Sequence, residues 1–235
     1  MPRALRDWWR RNTAQFGFGA TLGTLLAELW GFLRNSTPEQ RRRRYGDVEY
    51  DWEHRVDTTS ATVDWRDRLL GVLHSPYQPT EPALFHAMLA GLETDFAELT
   101  FIDLGSGKGR TLLMASEYPF RRIVGVELLP ELARIAQDNL QKYQSETQKC
   151  FRLESICGDA CKFLFPAEPA VLYLFNPLPK AGLARVITNL ELSLRENPRK
   201  VFVLYHNPLH DDIFSASPSL KRSGGTHQYS AYESQ

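Results

Sequence analysis

Short apolar segments alternate with amphipathic segments from Pro82 to the end of the chain. Continuous apolar runs bounded by turn residues predict buried strands, and apolar residues at helical spacing predict helices. The strands are predicted at residues 100–104, 122–127, 151–157, 170–175 and 200–205. The helices are predicted at residues 82–92, 108–117, 130–144 and 182–194. Residues 219–223 and 228–234 predict a final hairpin that turns around Gly224 and Gly225.

This alternation of strands and helices indicates the fold class. Strands that follow one another through helical connections form a parallel sheet with helices on both faces. The sequence therefore predicts a doubly wound, mostly parallel α/β domain. In such a sheet, ligands bind at the carboxyl ends of the strands, near the point where the strand order reverses.

The composition is that of a soluble globular domain. Hydrophobic residues make up 43% and charged residues 24% of the 235 residues, which excludes collagen, low-complexity disorder and a multi-span membrane protein. The chain holds 28 basic and 28 acidic residues, so no overall positive charge attracts nucleic acid. The three cysteines, at positions 150, 157 and 161, lack the spacing of a zinc site. We therefore expect no metal and a reducing, cytoplasmic location.

The first 44 residues differ from the rest in charge. Nine arginines and three acidic residues give them a net charge of +6, which leaves −6 for the remainder. Residues 16–33 are largely apolar, with Glu28 as their one charge. We predict a basic and apolar helical extension at residues 1–40 and a main domain at residues 41–235. The extension has three interpretations: an ordinary packed or flexible segment, peripheral contact with the inner face of a membrane through residues 1–35, or a membrane span.

A glycine-rich loop follows the first predicted strand. Residues 101–109 read FIDLGSGKG, with three glycines at alternate positions after Asp103. Glycines allow a tight turn in which the backbone approaches a ligand closely. The loop is not a phosphate-binding P-loop, because no Gly-Lys-Ser/Thr follows at the required offset. Arg110 stands where a dinucleotide-binding loop has its third glycine, so the loop predicts a different, nucleoside-like ligand.

Three further strand ends carry polar residues at the same edge of the predicted sheet. Glu127 lies 22 residues after the first loop glycine, a spacing at which a carboxylate accepts the ribose hydroxyls. Asp159, followed by the small Ala160, ends the third strand and can accept from an adenine amino group. Asn176 and Pro177 follow the apolar fourth strand and present an amide to the reactive end of a ligand. Asp159 and the Asn-Pro pair are also typical of ordinary turns.

The ordered series FIDLGSGKG, VGVELLP, GDA and LFNPLP resembles the motifs of class I S-adenosylmethionine-dependent methyltransferases. The resemblance covers residues 76–206. Together with the upstream YQPTEP, the motif wording is similar to bacterial methyltransferases of unassigned substrate and, more distantly, to non-SET protein-lysine methyltransferases. The resemblance implies a seven-stranded Rossmann-like sheet, methyl transfer and S-adenosylmethionine as the cofactor.

The resemblance also implies a role for each motif. Asp103 and the glycine loop would hold the methionine part of the cofactor, while Glu127 and Asp159 would hold the ribose and the adenine amino group. The segment 77–80 would close over the cofactor. The implied cofactor-binding residues are Asp103, Gly105, Ser106, Gly107, Gly109, Glu127, Asp159, Ala160, Asn176 and Thr80, and the implied catalytic residues are Asn176, Pro177 and Tyr77.

The Asn-Pro loop partly resembles the Asn-Pro-Pro-aromatic motif of amino-group methyltransferases, with Leu178 and Pro179 at its last two positions. It favours an amine nitrogen of a protein or a small molecule as the methyl acceptor, and nucleic acid ranks lower because the main domain is acidic. His206 and Tyr77 are candidate bases, although a merely hydrogen-bonded loop histidine is the favoured interpretation of His206. Two other functions stay open: an NAD-dependent oxidoreductase, and a non-catalytic cofactor-binding or membrane-tethered scaffold.

Overall fold

The computed structural model describes residues 48–59 and 79–235. The extension predicted at residues 1–40 and the candidate Tyr77 lie outside these residues. The helices are α1 Val48–His54, α2 Pro82–Ala90, α3 Arg110–Ala115, α4 Pro130–Lys142, α5 Lys180–Glu196 and α6 Asp211–Ser215, with short 3-10 helices at Phe96–Glu98 and Ala160–Lys162. The strands are β1 Thr100–Leu104, β2 Arg122–Glu127, β3 Leu153–Cys157, β4 Ala170–Phe175, β5 Val201–His206, β6 Leu220–Gly225 and β7 Tyr229–Ser234. Within the described ranges, no helix combines the length and apolar character that crossing a membrane requires.

The strands form one seven-stranded sheet in the order β3-β2-β1-β4-β5-β7-β6. Strands β1 to β5 run parallel, and β7 inserts antiparallel between β5 and β6. The predicted doubly wound, mostly parallel α/β fold is therefore confirmed. The chain adds β2 and β3 on one side of β1 and returns to add β4 on the other, so the strand order reverses between β1 and β4. The carboxyl ends of these strands surround the crevice where such folds bind ligands.

The sheet carries a hydrophobic core on each face because its central strands are apolar at nearly every position. All residues of β1 and β5 are buried, including those that face opposite sides of the sheet. Phe101 and Tyr173 pack with Phe85 of α2 in one core, whereas Ile102 and Leu172 pack in the other, which includes α5. Each large apolar side chain that is fully buried contributes about 1.5–3 kcal/mol, so these two layers fix the strand ends that form the crevice.

Prolines and glycines set the helix ends near the crevice. Pro82 and Pro130 occupy the first turns of α2 and α4, where the missing N–H costs nothing and the fixed φ suits a helix. The helix predicted from residue 108 begins instead at Arg110, because Gly109 has a left-handed φ of 83°. The glycine loop is thereby two residues longer than the predicted helix start allowed.

The prediction that the final hairpin turns around Gly224 and Gly225 is wrong. Both glycines belong to β6, and residues 226–228 make the turn. Gly225 pairs with Ser230 at a φ of 126°, and a Cβ atom there would lie 2.5 Å from the carbonyl oxygen of Tyr229. The glycine therefore permits a close approach of two strands.

Candidate active site

The glycine loop between β1 and α3 is folded onto the end of β2. The backbone N–H groups of Gly105 and Ser106 both donate to the carbonyl oxygen of Val126, at 2.8 and 3.1 Å. Gly105, Gly107 and Gly109 have φ values of 87°, 53° and 83°. Residues with a Cβ rarely adopt this left-handed conformation, so the alternate glycines are what allow the loop to fold in this way.

Glu127 connects the end of β2 to the middle of the glycine loop. Its carboxylate is buried; Oε2 accepts from the N–H of Gly107 at 2.9 Å, and Oε1 accepts from the N–H of Leu129 at 2.8 Å. A carboxylate at this position, beside the glycine loop, is the kind of acceptor that a ligand hydroxyl needs. The N–H of Gly158 donates to the backbone carbonyl of Glu127 at 2.8 Å, which brings the end of β3 alongside.

Asp103 is a buried carboxyl group on β1, immediately before the glycine loop. It is 2% exposed, and its Oδ2 accepts a short hydrogen bond from the hydroxyl of Thr111. Its Oδ1 is fully buried and has no hydrogen-bond partner within residues 48–59 and 79–235. Burial raises the pKa of Asp103 to about 7, the Thr111 hydrogen bond opposes this, and the charge of Glu127 adds to it. An unsatisfied buried carboxyl oxygen costs about 1–3 kcal/mol, so this atom is suited to a ligand N–H donor or cation.

The Asn-Pro loop after β4 touches the glycine loop. Asn176 is buried, has a left-handed φ of 42° and accepts at Oδ1 from the hydroxyl of Tyr205 at 2.9 Å. A Cβ atom built on Gly105 would lie only 2.4 Å from the Cβ of Pro177. The two loops are therefore packed so closely that only glycine fits at position 105.

Asp159 and Ala160 lie beside these loops, and each has a structural role. Asp159 Oδ1 accepts from the N–H of Cys161 at 2.9 Å and so caps the 3-10 helix Ala160–Lys162. Ala160 is buried in the core on the α5 face of the sheet. These contacts place both residues at the carboxyl end of β3, and a contact with adenine stays a prediction.

Thr80 begins a buried chain of three polar side chains that ends at His206. The Thr80 hydroxyl lies 2.8 Å from the hydroxyl of Tyr173, which in turn lies 2.8 Å from Nδ1 of His206. Burial lowers the pKa of His206 to about 4 and raises the pKa of Tyr173 well above its usual value. All three side chains are therefore uncharged at neutral pH. His206 is the last residue of β5 rather than part of the loop that follows.

A group of polar residues on the other side of the glycine loop was not predicted from the sequence. Lys108 and Arg110 are 1% and 2% exposed, and they bind Asp57, Thr58 and Asp51 in the segment that contains α1. The residues around α1 are polar and charged, with no periodicity that predicts a partner. The one unusual feature in the sequence was Arg110, which stands where a dinucleotide-binding loop has its third glycine.

A comparison with solved structures supports the fold assignment. A predicted N6-adenine-specific DNA methylase from Listeria monocytogenes aligns with 67% of this chain and 51% of its own, at 12% identity and a TM-score of 0.50. An RNA methyltransferase from Salinibacter ruber, solved with S-adenosyl-L-homocysteine, aligns with 66% of this chain and 91% of its own, at 22% identity and a TM-score of 0.41. The order of the strands gives the chain the fold of class I S-adenosylmethionine-dependent methyltransferases, which confirms the fold that the resemblance in the sequence implied.

Comparison with known sequences gives two further matches. Residues 76–155 match the family model described as "Histone methylation protein DOT1". The release factor glutamine methyltransferase of Vibrio cholerae is 28% identical over 130 residues. That alignment covers 53% of this chain, and the chain spans 42% of the length of the relative. These matches favour a methyltransferase over the NAD-dependent alternative.

Proposed function

We propose that this protein transfers a methyl group from S-adenosylmethionine to a nitrogen atom of a protein acceptor. The observation that carries the proposal is the contact between the glycine loop and the Asn-Pro loop at Gly105 and Pro177. It joins a site suited to the cofactor with an amide suited to a nitrogen nucleophile. When bound, the cofactor supplies a methyl group that its sulfonium has already activated for transfer.

The described residues fit this cofactor in two respects. Asp103 Oδ1 is a buried carboxyl oxygen without a hydrogen-bond partner in the described part of the chain, and the α-ammonium of the cofactor is a donor of the matching charge. The loop glycines that follow Asp103 have positive φ values and carry no side chains, so the backbone there can approach a ligand closely. We assign the methionine part to Asp103 and the loop of Gly105, Ser106, Gly107 and Gly109. We assign the ribose to Glu127 and the adenine to Asp159 and Ala160, with Thr80 at the segment that closes over the cofactor.

Asn176 has the properties of a group that orients an acceptor nitrogen. The hydroxyl of Tyr205 donates to its Oδ1 at 2.9 Å, which fixes the amide plane, and an amide oxygen is the kind of acceptor that the hydrogens of an amine need. An amide oxygen held in this way aims the nitrogen lone pair and stabilises the positive charge that grows on nitrogen. Correct placement of two reactants can supply about 7–11 kcal/mol of the barrier reduction. Pro177, packed on Gly105, keeps this amide at the edge of the cofactor site.

The names of the two sequence matches favour a protein as the acceptor. One names histone methylation and the other names a glutamine of a release factor. A small-molecule amine and a nucleic-acid base are the alternative acceptors. The prediction that Tyr77 is catalytic concerns a residue outside the described ranges, and it stays a prediction, as does membrane contact through residues 1–35.

The proposal can be tested with isotopically labelled cofactor and a cell extract. We expect label in protein, on a nitrogen atom identified by peptide mass spectrometry. Asn176→Ala should lose transfer by at least about tenfold, and by more than it loses affinity for S-adenosylhomocysteine, since an oriented hydrogen bond in the transition state is removed. Thr188→Ala is the control, because the Thr188 hydroxyl donates to the carbonyl of Ala184 at 3.0 Å on the exposed surface of α5. Labelling of oxygen or carbon, or equal transfer by both variants, would contradict the nitrogen assignment.

A further inference from the structure

The segment Val48–Thr59, here called the strap, is folded by one carboxylate. Asp51 Oδ2 accepts from the backbone N–H groups of Thr58 and Thr59 at 2.9 and 2.7 Å, and Oδ1 accepts a short hydrogen bond from the Thr58 hydroxyl. These bonds bring the end of the strap back onto helix α1. As a result, Asp57, Thr58 and Thr59 form a compact polar turn.

Arg110, the residue that starts helix α3, is buried against this turn. Its Nε donates to the Thr58 hydroxyl oxygen at 2.6 Å, and one terminal nitrogen donates to the Thr59 hydroxyl oxygen at 2.7 Å. The same nitrogen lies 3.3 Å from Oδ1 of Asp51. The guanidinium carbon also lies 4.9 Å from the ring centre of Tyr50, close enough for a cation–π contact.

Lys108, within the glycine loop, is bound to the same turn. Its Nζ lies 2.9 Å from Oδ1 of Asp57. Asn139 of α4 connects the two backbones: its Nδ2 donates to the carbonyl oxygens of Asp57 and Lys108 at 2.9 and 3.0 Å, and its Oδ1 accepts from the N–H of Asp57 at 2.9 Å. The Asn139 amide thereby uses both donor hydrogens and one lone pair to hold the strap against the loop.

Two buried cations so close to the cofactor loop depend on their partners. Burying an ammonium or guanidinium group is costly unless it is paired and hydrogen-bonded, and the strap supplies partners for both. Lys108 stands between Gly107 and Gly109, and residues without a side chain have a wide range of backbone conformations. Anchoring Lys108 and Arg110 from outside therefore adds a restraint on the loop beside these two glycines.

We propose that the strap is a clamp that positions the glycine loop for the cofactor, with Asp57, Lys108, Arg110 and Asn139 as its positioning residues. The inference rests on the proposed cofactor site, but not on the identity of the acceptor. If clamping the strap favours cofactor binding, the cofactor must stabilise the clamped strap by the same factor, because coupling between two sites is reciprocal. This reciprocity separates a clamp from a segment that merely stabilises the fold.

Asp57→Asn tests the clamp against a closely matched control. Asp57 and Asp138 each lie 2.9 Å from a cationic nitrogen, and their side chains are 51% and 44% exposed. Asp138 pairs with Arg134, four residues earlier on the surface of α4. We expect Asp57→Asn to weaken binding of S-adenosylhomocysteine by about tenfold in calorimetric titration. The affinity of Asp138→Asn should stay within about twofold of that of the original chain. Asp57→Glu, which restores the charge, should recover part of the loss.

Hydrogen exchange of the unmodified chain tests the same coupling without a substitution. We expect S-adenosylhomocysteine to slow hydrogen exchange in peptides covering residues 48–59, by about the same factor by which the strap raises cofactor affinity. The slowing should be smaller in Asp57→Asn. If the original chain does not bind S-adenosylhomocysteine, the proposed function fails. If it binds, but strap exchange is unchanged and Asp57→Asn binds equally well, the clamp alone is overturned. Should Asp57→Asn fail to fold, the exchange result on the original chain decides.

Discussion

Replacing Asp103 with asparagine should stabilise the protein in the absence of cofactor while weakening cofactor binding. Asparagine has nearly the same shape and can still accept the Thr111 hydrogen bond, but it carries no charge. The buried charge is costly in the free protein, since Asp103 Oδ1 has no hydrogen-bond partner in the described ranges. The same charge is the proposed partner of the cofactor ammonium. The gain in stability and the loss of cofactor affinity therefore have the same physical origin, the charge of Asp103.

The size of the stability effect follows from the pKa of Asp103. Raising this pKa from 3.8 to about 7 corresponds to about 4 kcal/mol, at about 1.4 kcal/mol for each pH unit. Between these two values the folded protein binds more protons than the unfolded chain, so its stability falls as pH rises and levels off above about pH 7. The stability gap between Asp103→Asn and the original chain should therefore widen by roughly 1 kcal/mol per pH unit from pH 5 to pH 7.

The assay is urea unfolding of both proteins, without cofactor, at several pH values from 5 to 8. Asp95→Asn is the control, because Asp95 is exposed and its carboxylate accepts from the nearby N–H of Ala97 at 3.0 Å. Calorimetry at pH 8 should show that Asp103→Asn binds S-adenosylhomocysteine about 10- to 100-fold more weakly, the value of a charged hydrogen bond. A stability gap that is the same at pH 5 and pH 8 would refute the reasoning.

Three further outcomes follow from single contacts. Gly105→Ala should lower stability by at least about 1–3 kcal/mol in urea unfolding, whereas Gly158→Ala, whose Cβ would meet nothing closer than 3.8 Å, should change it by less than about 0.5 kcal/mol. Tyr205→Phe removes the hydrogen bond to Asn176 and should slow methyl transfer about fivefold, at about 1 kcal/mol, with cofactor affinity unchanged. Burial disfavours the protonated imidazole of His206, so the original chain should lose up to about 3 kcal/mol of stability as pH falls from 6.5 to about 4. His206→Gln should abolish this loss, which unfolding curves across that pH range would show.

The sheet and the loops at its edge were predictable because their signals are local. Each central strand is a continuous apolar run, and such a run is buried on both faces wherever a parallel sheet is covered by helices. The glycine loop, Glu127 and the Asn-Pro loop each follow a strand directly, so the fold alone brings them to one edge. The contact between Gly105 and Pro177 joins residues that follow neighbouring strands, which the order of β1 and β4 makes adjacent.

The strap was not predictable because its contacts are distant in the sequence. Lys108 and Asp57 are 51 positions apart, and Asp57 and Asn139 are 82 apart. Nothing in the polar sequence around α1 indicates which charges are buried, and lysine and arginine are rarely buried unless paired. Burial of Lys108 and Arg110 is a property of the packed structure. For the same reason the sequence showed His206 as an ordinary histidine, while the fold places it in a buried chain with Tyr173 and Thr80.

The glycine loop depends on its neighbours for its shape because it has few side chains of its own. Gly105 is held by Pro177 of the Asn-Pro loop, Gly107 by the carboxylate of Glu127, and Lys108 by the strap. Pro177 belongs to the proposed acceptor site, Glu127 to the proposed ribose site and the strap to the proposed clamp. The glycine loop therefore contacts all three. Since Pro177 packs directly on Gly105, a movement of the Asn-Pro loop toward the glycine loop must displace the glycine loop as well. We therefore expect acceptor and cofactor binding to be coupled, by about 1–3 kcal/mol if the coupling is of ordinary size.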